Sequence, residues 1–313
     1  MSREAITGFR VVKPGFFSLL QDAGRSGYEH LGVTSGGAMD EMAASWANRL
    51  LDNPAGSTLI EITAGGLELE ARTQTMLSVT GGDLNLTIND EPQAPWRSFW
   101  VSTGDRLRFA RPRIGFRAYL AVQGGFQVPA SLGSAATVKR DALGGLHQDG
   151  SALREDDFIA AGFLPEEQLP RQLPERFMPD YTGPVTLNII PGYQQNEFSK
   201  EAWRQVLKQP FELDTRSDRM GARLLGDAIA SPDLAMFSEG ISYASVQVPP
   251  DGQPIVMLND RQTLGGYPKL GNILPLDCYA LAQRQPGTEV RFAHIGLMTA
   301  QQQMRRYLRF FGL

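Results

Sequence analysis

Glycine and proline interrupt this chain at short intervals, with 33 glycines and 20 prolines among its 313 residues. The segments between them are short and rich in β-branched and aromatic residues, as in residues 117–122 and 185–190. Short runs of this kind between turn residues predict a mainly β chain with few helices. Polar two-residue turns such as Asn89-Asp90 support that prediction. The other predicted strands are residues 76–80, 84–88, 246–248 and 255–258.

Three segments have the spacing of amphipathic helices. In residues 38–51, apolar side chains recur every three to four positions, which places them on one face of a helix. A second predicted helix covers residues 197–208. A third begins near Thr299, which is its predicted N-cap.

Prolines recur among charged residues between positions 161 and 184. This composition predicts a semi-rigid linker. We therefore expect an N-terminal β domain of residues 1–162, a proline-rich linker of residues 163–182 and a C-terminal β domain of residues 183–313.

Short matches between the two halves suggest an internal duplication. Arg49-Leu50-Leu51 matches Arg223-Leu224-Leu225 at an offset of 174 (223 − 49). Arg108-Phe109-Ala110 matches Arg291-Phe292-Ala293 at an offset of 183 (291 − 108). Two duplicated β domains would have a groove between them, and such grooves are common ligand sites. The alternative is that these short matches arose by chance.

Charge and residue usage exclude several classes of function. A net charge of −4 without a stripe of Lys and Arg argues against nucleic-acid binding. One cysteine rules out an intrachain disulfide framework and, with three scattered histidines, offers no metal-ligand spacing, so no metal site is expected. No apolar run approaches the roughly 20 residues that span a bilayer, and no signal-peptide pattern begins the sequence. We therefore expect a cytoplasmic protein that does not bind membranes.

A tight loop presents Arg25 shortly after Gln21-Asp22, with Gly24 before it and Gly27 after it. An arginine presented in this way can bind a carboxylate or phosphate through two parallel hydrogen bonds. The alternative is that Asp22 pairs with Arg25 and ties down the turn.

A second loop, Ser35-Gly36-Gly37, precedes the first predicted helix. Backbone N–H groups and the positive end of a helix dipole can bind an anion there. The alternative is an ordinary helix start, in which Ser35 is the N-cap and the glycines ease the turn.

A third segment, residues 214–221, alternates acidic and basic side chains around Ser217. Arg216 and Arg219 in this segment are candidates for binding an anionic substrate. A polar surface loop explains the same pattern equally well.

The fourth segment, residues 247–269, is the richest in reactive side chains. It contains a predicted strand, an Asp-Gly turn and a second strand, followed by Asn259-Asp260-Arg261-Gln262 and a Gly-Gly-Tyr-Pro-Lys loop. Buried strands that end in polar side chains often deliver functional residues from a rigid scaffold. The alternative is a hairpin exit with a Gly-Gly turn.

Several signatures of catalysis are absent from the sequence. It has no Walker A pattern, no G-x-S-x-G elbow and no G-x-G-x-x-G. Cys278 lies in an apolar stretch, which indicates a core thiol rather than a nucleophile. The residues alone therefore predict a two-domain β protein with polar loops suited to small anions, without specifying a reaction.

These four segments, in this order, closely resemble the family named for KipA, for urea amidolyase (allophanate hydrolase subunit 2) and for the C subunit of 5-oxoprolinase. The resemblance extends along nearly the whole chain. It includes Ser35-Gly36-Gly37-Ala38-Met39-Asp40, Glu61-Ile62-Thr63, Ser217-Asp218-Arg219-Met220-Gly221 and the block from Gln253 to Lys269.

The resemblance implies two cyclophilin-like β-barrel units in tandem. It also implies ATP-driven ring opening of 5-oxoproline to glutamate, in a complex with a KipI-like B subunit and a lactam-utilisation A subunit. The chain would be inactive alone. The clustering of charges and glycines at strand exits, together with the resemblance, makes Asp260 and Lys269 the candidate catalytic residues, with a role in proton transfer or orientation expected for Asp260. The candidate substrate-binding or anion-binding residues are Arg25, Ser35, Gly36, Gly37, Asp218, Arg219, Gln262, Thr263, Gly265, Gly266 and Tyr267.

Two relatives within this family imply other roles. The corresponding part of urea carboxylase transfers a carboxyl group from biotin, and this sequence lacks a biotinyl-lysine motif, so biotin would arrive on another protein. KipA-like proteins instead bind a KipI-like kinase inhibitor, which is a regulatory role.

Overall fold

The computed structural model describes residues 7–162, 169–232 and 237–313. The described chain is mostly β with four α-helices, which confirms the predicted fold class. It divides into two compact units. The first unit comprises Met1–Arg25 and Gly36–Tyr181, and the second comprises Ser26–Ser35 and Thr182–Leu313.

The first unit consists of eleven described strands and one helix. They are β1 (Gly8–Pro14), β2 (Phe17–Gln21), α1 (Glu41–Leu50), β3 (Leu59–Thr63), β4 (Leu67–Ala71), β5 (Thr75–Asp83), β6 (Thr87–Ile88), β7 (Glu91–Pro92), β8 (Arg97–Val101), β9 (Arg106–Arg108), β10 (Ile114–Val122) and β11 (Phe158–Ala160).

These strands form two antiparallel sheets around a shared core. The six-stranded sheet has the order β11-β1-β4-β9-β6-β7, and the five-stranded sheet has the order β2-β3-β10-β5-β8. Alternate residues of both sheets, such as Phe9, Leu69, Ile62 and Leu120, belong to one buried apolar cluster. Strand periodicity of two explains this pattern, because it sends every second side chain to the same face.

Helix α1 packs on the other face of the five-stranded sheet. Ala43 and Ala47 of the helix belong to a second buried cluster with Met76 and Tyr119. The first predicted helix is thus confirmed, but its cap is not Ser35. The helix begins at Glu41, and the Asp40 side chain accepts a hydrogen bond from the backbone N–H of Ala43.

The predicted linker partly packs against the first unit. Leu173 and Tyr181 are buried in the cluster beneath α1. Arg171 forms two hydrogen bonds with the carboxylate of Asp52, at 2.6 and 2.7 Å. Residues 163–168 of the linker lie outside the described residues. The domain boundaries drawn from the sequence stay a prediction.

The second unit consists of nine described strands and three helices. They are β12 (Val185–Pro191), α2 (Lys200–Lys208), β13 (Phe211–Leu213), β14 (Gly221–Leu225), β15 (Glu239–Gly240), β16 (Ser245–Gln247), β17 (Ile255–Met257), β18 (Leu264–Gly265), β19 (Lys269–Ile273), α3 (Pro275–Leu281), β20 (Glu289–His294) and α4 (Leu297–Phe311).

Seven of these strands close into a barrel of order β12-β19-β16-β17-β14-β13-β20. The pairing of β12 with β20 is parallel, and the other pairings are antiparallel. Strands β15 and β18 form a separate two-stranded ribbon. No helix in the described ranges is long and apolar enough to cross a membrane.

Some local predictions fail in this unit. Helix α4 begins at Leu297 after Gly296, so Thr299 lies inside the helix and is not its cap. Helix α3 was not predicted, because its short apolar sequence gives no clear periodicity. The Arg-Leu-Leu match does not mark equivalent elements either. Arg49 and Leu50 end a helix, whereas Arg223-Leu224-Leu225 lies in strand β14.

Candidate functional site

The second unit contains a cavity of about 580 Å³. Strands β16 and β19, the β15–β18 ribbon and the Ser26–Ser35 segment all contribute lining residues. Two cationic side chains, Arg261 and Lys269, line it together with Thr263. Lys269 and Thr263 were both candidates from the sequence, so the fourth segment does deliver polar side chains to one cavity.

Lys269 begins strand β19 and is held by an acidic partner. Its Nζ forms a short salt bridge with the carboxylate of Glu239 in β15, and its side chain is largely buried. Burial opposes ionisation of Glu239. The hydrogen bonds that it accepts from Lys269 and Tyr193 outweigh this effect and hold the pKa of Glu239 below its usual value. The pair is therefore ionised, and most of the lysine charge is compensated.

Two neighbouring residues complete this polar cluster. The side-chain amide of Gln194 donates to Glu239 at 3.1 Å and accepts from the backbone N–H of Lys269 at 2.7 Å. The Tyr193 ring lies 5.8 Å from the Lys269 ammonium. Desolvation of the hydroxyl and its hydrogen bond to Glu239 raise the pKa of Tyr193 to about 12. Tyr193 therefore stays a neutral hydrogen-bond donor at physiological pH.

Arg261 is held rigidly at another part of the cavity lining. Its Nε donates to the carbonyl of Ile241 at 3.0 Å, and its Nη1 lies 3.5 Å from the carbonyl of Leu258. The guanidinium also lies over the Tyr243 ring, 6.0 Å from its centroid. Burial lowers the pKa of Arg261 from its usual value, although an arginine remains protonated in such surroundings.

The Ser26–Ser35 segment forms a further wall of the cavity. Glu29 and His30, in a short 3₁₀ turn, are lining residues. The Thr34 hydroxyl donates to the carbonyl of Arg261 at 3.3 Å, which fixes the segment beside that residue. Backbone hydrogen bonding, assisted by Ser35 and by the charge of Arg261, lowers the pKa of Glu29.

Small polar side chains line the barrel side. The Asn272 side-chain amide donates to the Ser242 hydroxyl at 2.8 Å and to the carbonyl of Tyr243 at 3.1 Å. The Ser242 and Ser245 hydroxyls lie 2.9 Å apart. This arrangement offers uncharged donors and acceptors near the two cations.

Asp260 and Arg219, both candidates from the sequence, form a buried pair. Arg219 donates from Nε and Nη2 to the two carboxylate oxygens at 2.8 and 3.0 Å. Arg219 is only 6% exposed and Asp260 only 4%. This geometry favours a bracing role for Asp260 over proton transfer, because the pair ties the strand exit to the Asp218-Arg219 loop.

The remaining candidates in the second unit shape the surrounding loops. Asp218 accepts hydrogen bonds from the backbone N–H groups of Met220 and Gly221. A Cβ at Gly265 would lie 2.4 Å from Cδ1 of Ile241, so a larger residue there requires the Ile241 side chain to move. Gly266 and Tyr267 lie in the exposed turn before Lys269, and Gln262 lies partly exposed beside Arg261.

Arg25 lies in the first unit and braces a loop. Its Nε donates to the carbonyl of Ser131, and its Nη2 donates to the carbonyls of Ser134 and Ala136. Asp22 accepts from Gly24, Ser134 and Ala135. Both residues therefore hold the turn in place, and each does so through hydrogen bonds to residues 131–136.

The Ser35-Gly36-Gly37 loop is not at a helix N-terminus, since α1 begins only at Glu41. The N–H of Gly37 donates to the Gln21 side chain at 3.1 Å. Ser35 belongs to the second unit, where its hydroxyl donates to Glu29 at 3.3 Å. The physical basis for anion binding by this loop, a helix dipole with N–H groups, is thus missing.

Sequence reasoning missed Tyr193, Gln194, Glu239, Arg261 and Asn272. Arg261 had a signal, because it lies within the polar run that follows β17. The others lie outside the four segments singled out from the sequence, and only the folded chain brings them to Lys269 or the cavity. Within the described ranges, no group of three or more His, Cys, Asp or Glu side chains is placed to hold a metal ion.

Comparison with known proteins assigns the family. The model of the carboxyltransferase domain, subdomain A and B, matches residues 31–294. The chain belongs to this carboxyltransferase-domain family. A curated member, the C subunit of 5-oxoprolinase from Escherichia coli, is 33% identical over 304 residues, covering 95% of this chain and 96% of the relative.

Solved structures of family members have the same fold. The urea carboxylase of Kluyveromyces lactis matches with a TM-score of 0.89 and 26% identity, over 98% of this chain and 29% of that protein. TTHA0988 matches with a TM-score of 0.84 and 33% identity, over 94% of this chain and 57% of that protein. The chain thus spans little more than half of TTHA0988 and under a third of the urea carboxylase.

Proposed function

We propose that this chain is the C subunit of an ATP-dependent 5-oxoprolinase. The observation that carries the proposal is the 33% identity to the E. coli 5-oxoprolinase C subunit, which extends over nearly the full length of both chains. A second relative of the same name, from Haemophilus influenzae, matches at 33% over 92% of this chain. The K. lactis urea carboxylase matches only as one part of a much longer protein.

The proposed reaction opens the lactam ring of 5-oxo-L-proline to give L-glutamate. A lactam is a poor electrophile, because its nitrogen donates electrons to the carbonyl. Transfer of the γ-phosphoryl group of ATP to the lactam oxygen makes the ring carbon more electrophilic and gives ADP. Water then adds to that carbon and the C–N bond breaks as the nitrogen takes a proton, which leaves the γ-acyl phosphate of glutamate. A second water hydrolyses this acyl phosphate to glutamate and phosphate.

The cavity of the second unit suits the small substrate of this reaction. Arg261 and Lys269 supply positive charge, and Thr263, Ser242 and Asn272 supply neutral hydrogen-bonding groups. Lys269, aligned by Glu239 and Gln194, is the best placed of the predicted catalytic residues. Asp260 contributes by holding the loop through Arg219.

We further propose that the chain acts in a complex with a KipI-like B subunit and a lactam-utilisation A subunit, and is inactive alone. The absence of any nucleotide-binding signature in the sequence supports this view. This chain covers 57% of TTHA0988, so in that protein the matching region is joined to further sequence. Such a connection is consistent with a family whose members act together with other protein segments.

A biotin-dependent carboxyltransferase is the second candidate. The name of the matching family and the TM-score of 0.89 to K. lactis urea carboxylase favour it. In that case a biotinylated partner protein would bring the carboxyl group.

Reconstitution separates the two candidates. The purified chain is mixed with the KipI-like and lactam-utilisation subunits, and ATP hydrolysis and glutamate formation are followed with and without 5-oxoproline. The proposal predicts 5-oxoproline-dependent turnover only when all three proteins are present. Decarboxylation of carboxybiotin without lactam-dependent turnover would favour the carboxyltransferase.

Lys269→Ala tests the site within the same assay. Loss of a charge-assisted hydrogen bond costs about 1.5–3 kcal/mol, so turnover falls roughly 10- to 150-fold. Lys208→Ala, at an exposed position in the last turn of α2, is the matched control and keeps full activity. Equal activity of both variants would remove Lys269 from the site.

A further inference from the structure

Arg261 differs from two other buried arginines, Arg219 and Arg117, in how its charge is compensated. Arg219 forms a bidentate pair with Asp260, and Arg117 lies beside Glu61. Arg261 is only 9% exposed, yet no carboxylate of the described residues forms a salt bridge with it. Glu29 acts on it only as a longer-range charge. Burying a cation without a contacting anion costs free energy, and a bound anion would offset that cost.

The geometry shows which part of the guanidinium is available. Nε and Nη1 point to the carbonyls of Ile241 and Leu258, which fixes the plane of the group. Nη2 has no acceptor in the part of the chain that the structure describes. Because Arg261 lines the cavity, this nitrogen and its two N–H groups are the ones that a ligand can reach.

The charges around the cavity set the charge of the ligand. Lys269 is already paired with Glu239, and Glu29 is an acidic lining residue. Lys269 and Glu239 compensate each other in contact, whereas Glu29 acts on Arg261 only at longer range. The guanidinium of Arg261 is therefore the one Lys or Arg charge of the described lining residues without a contacting anion. One such charge matches a single carboxylate, whereas a polyphosphate would meet two carboxylates as well.

A phosphate cradle is also missing from the described lining of this cavity. Triphosphates are held by free backbone N–H groups at glycine-rich loops or helix N-termini, usually with Mg²⁺. The three lining glycines do not form such a loop. The N–H of Gly192 donates to Leu270, Gly271 lies in the barrel opposite Val246, and Gly240 is a single residue of the two-stranded ribbon.

We propose that this cavity binds a small monocarboxylate through Nη2 of Arg261 and does not bind the ATP of the reaction. The ATP site then lies on another protein of the complex, and this chain holds the substrate carboxylate. Asn272 and Thr263 line the same cavity, and they offer neutral groups to the remainder of a cyclic amide. The choice of 5-oxoproline as the probe and the assignment of ATP to another protein rest on the proposed function, whereas the binding of a monocarboxylate by Arg261 does not.

Calorimetry on the isolated full-length chain tests this division of roles. The probes are 5-oxo-L-proline, 2-pyrrolidinone, which is the same ring without the carboxylate, and Mg-ATP. We expect 5-oxoproline to bind, removal of its carboxylate to weaken binding about 10- to 150-fold, and Mg-ATP to give no signal. Comparing 5-oxoproline with 2-pyrrolidinone tests the carboxylate contact without any change in the protein.

Arg261→Gln should weaken 5-oxoproline binding by a similar factor and leave the weak binding of 2-pyrrolidinone unchanged. Arg261→Lys keeps the charge but loses the planar guanidinium, so its affinity for 5-oxoproline should lie between those of the wild type and Arg261→Gln. Arg204→Gln, on the exposed face of α2, is the matched control and binds as the wild type does. Thermal melting of each variant shows whether it is folded.

The outcomes separate this inference from the proposed function. Absence of 5-oxoproline binding, equal binding of the two ring compounds, or competitive binding of Mg-ATP would each overturn the inference, even if the reconstituted complex were active. Arg261-dependent carboxylate binding together with a complex that ignores 5-oxoproline would leave the inference standing and reject the proposed function.

Discussion

At the scale of single residues, the buried arginines show why motif charges have different roles. Arg25 binds three main-chain carbonyls, and Arg219 binds a buried carboxylate. Both therefore hold loops in place. Arg261 is also held by carbonyls, but it lines the cavity and its Nη2 has no acceptor among the described residues, which is the basis of the binding role proposed for it.

Arg219→Ala should destabilise the protein more than it alters chemistry. The substitution leaves Asp260 buried without its partner, and breaking a buried ion pair costs about 3–5 kcal/mol. We expect a clear fall in the free energy of unfolding, measured by urea denaturation. This differs from the anion-binding role assigned from the sequence, under which the variant would fold normally.

Arg204→Ala is the control for that experiment. Its salt bridge with Glu201 is exposed at 3.1 Å, and such pairs contribute about 0–1 kcal/mol. Equal stability of the two variants would show that the Arg219–Asp260 pair is not a brace.

Cys278 provides a second residue-level prediction. It is fully buried in α3, and burial raises the pKa of its thiol. A buried, protonated thiol reacts only when the protein opens, so labelling by iodoacetamide in the native state should be at least about 100-fold slower than in denaturant. The chain has a single cysteine, so the labelled mass reports this site alone. Similar rates in both conditions would show that α3 opens readily.

At the scale of elements, the start of α1 illustrates how a cap is selected. Ser35 and Asp40 both precede the helix and both are good capping residues. Asp40 is the one adjacent to the first turn, where it accepts from the backbone of Ala43 and from the Tyr181 hydroxyl. Tyr181 comes from the end of the predicted linker, so no local pattern indicated this partner.

Asp40→Ala should lower stability, and Ser35→Ala should not. Loss of an N-cap costs about 0.5–2 kcal/mol, and the buried Tyr181 hydroxyl also loses an acceptor, which adds about 1–3 kcal/mol. Thermal melting of the two variants measures the difference. If Ser35→Ala were the more destabilised variant, Asp40 would not be the residue that caps this helix.

At the scale of the whole molecule, the units do not follow the order of the sequence. Ser26–Ser35 lies in the N-terminal half but belongs to the second unit. In the opposite direction, Leu173 and Tyr181 of the predicted linker are buried in the first unit. Each unit is therefore completed by residues that a division at the linker would assign elsewhere.

Fragments test this exchange. Residues 183–313 expressed alone lack Ser26–Ser35, and residues 1–162 alone lack Leu173 and Tyr181. Leu173 and Tyr181 are buried, and loss of a buried large side chain costs about 2–5 kcal/mol, so residues 1–162 should lack a cooperative melting transition. Within Ser26–Ser35 only Thr34 is buried, so residues 183–313 should keep a cooperative transition at a lower melting temperature. Co-expression of residues 1–182 with residues 183–313 restores every segment and should give a folded protein. A sharp transition for residues 1–162 alone would contradict the role of Leu173 and Tyr181 in the first unit.

The sequence by itself determined the class of fold and the position of the richest segment. The spacing of glycine and proline limits the length of the strands, because these residues favour turns in most sequence contexts. That is why residues 117–122 and 185–190 were predicted correctly and fall in β10 and β12. The polar run of residues 259–262 after β17 was also visible from the sequence alone. Lys269, at the end of the same segment, lines the cavity.

Only the tertiary structure decided which polar residues face a ligand and which brace the fold. Lys269 meets Glu239 across 30 positions, and Arg219 meets Asp260 across 41. Thr34 meets Arg261 across 227. Such pairs depend on tertiary packing of the barrel strands, the β15–β18 ribbon and the Ser26–Ser35 segment, which brings distant residues together without leaving a periodic trace in the sequence. Whether a charge is compensated is therefore a property of the folded chain.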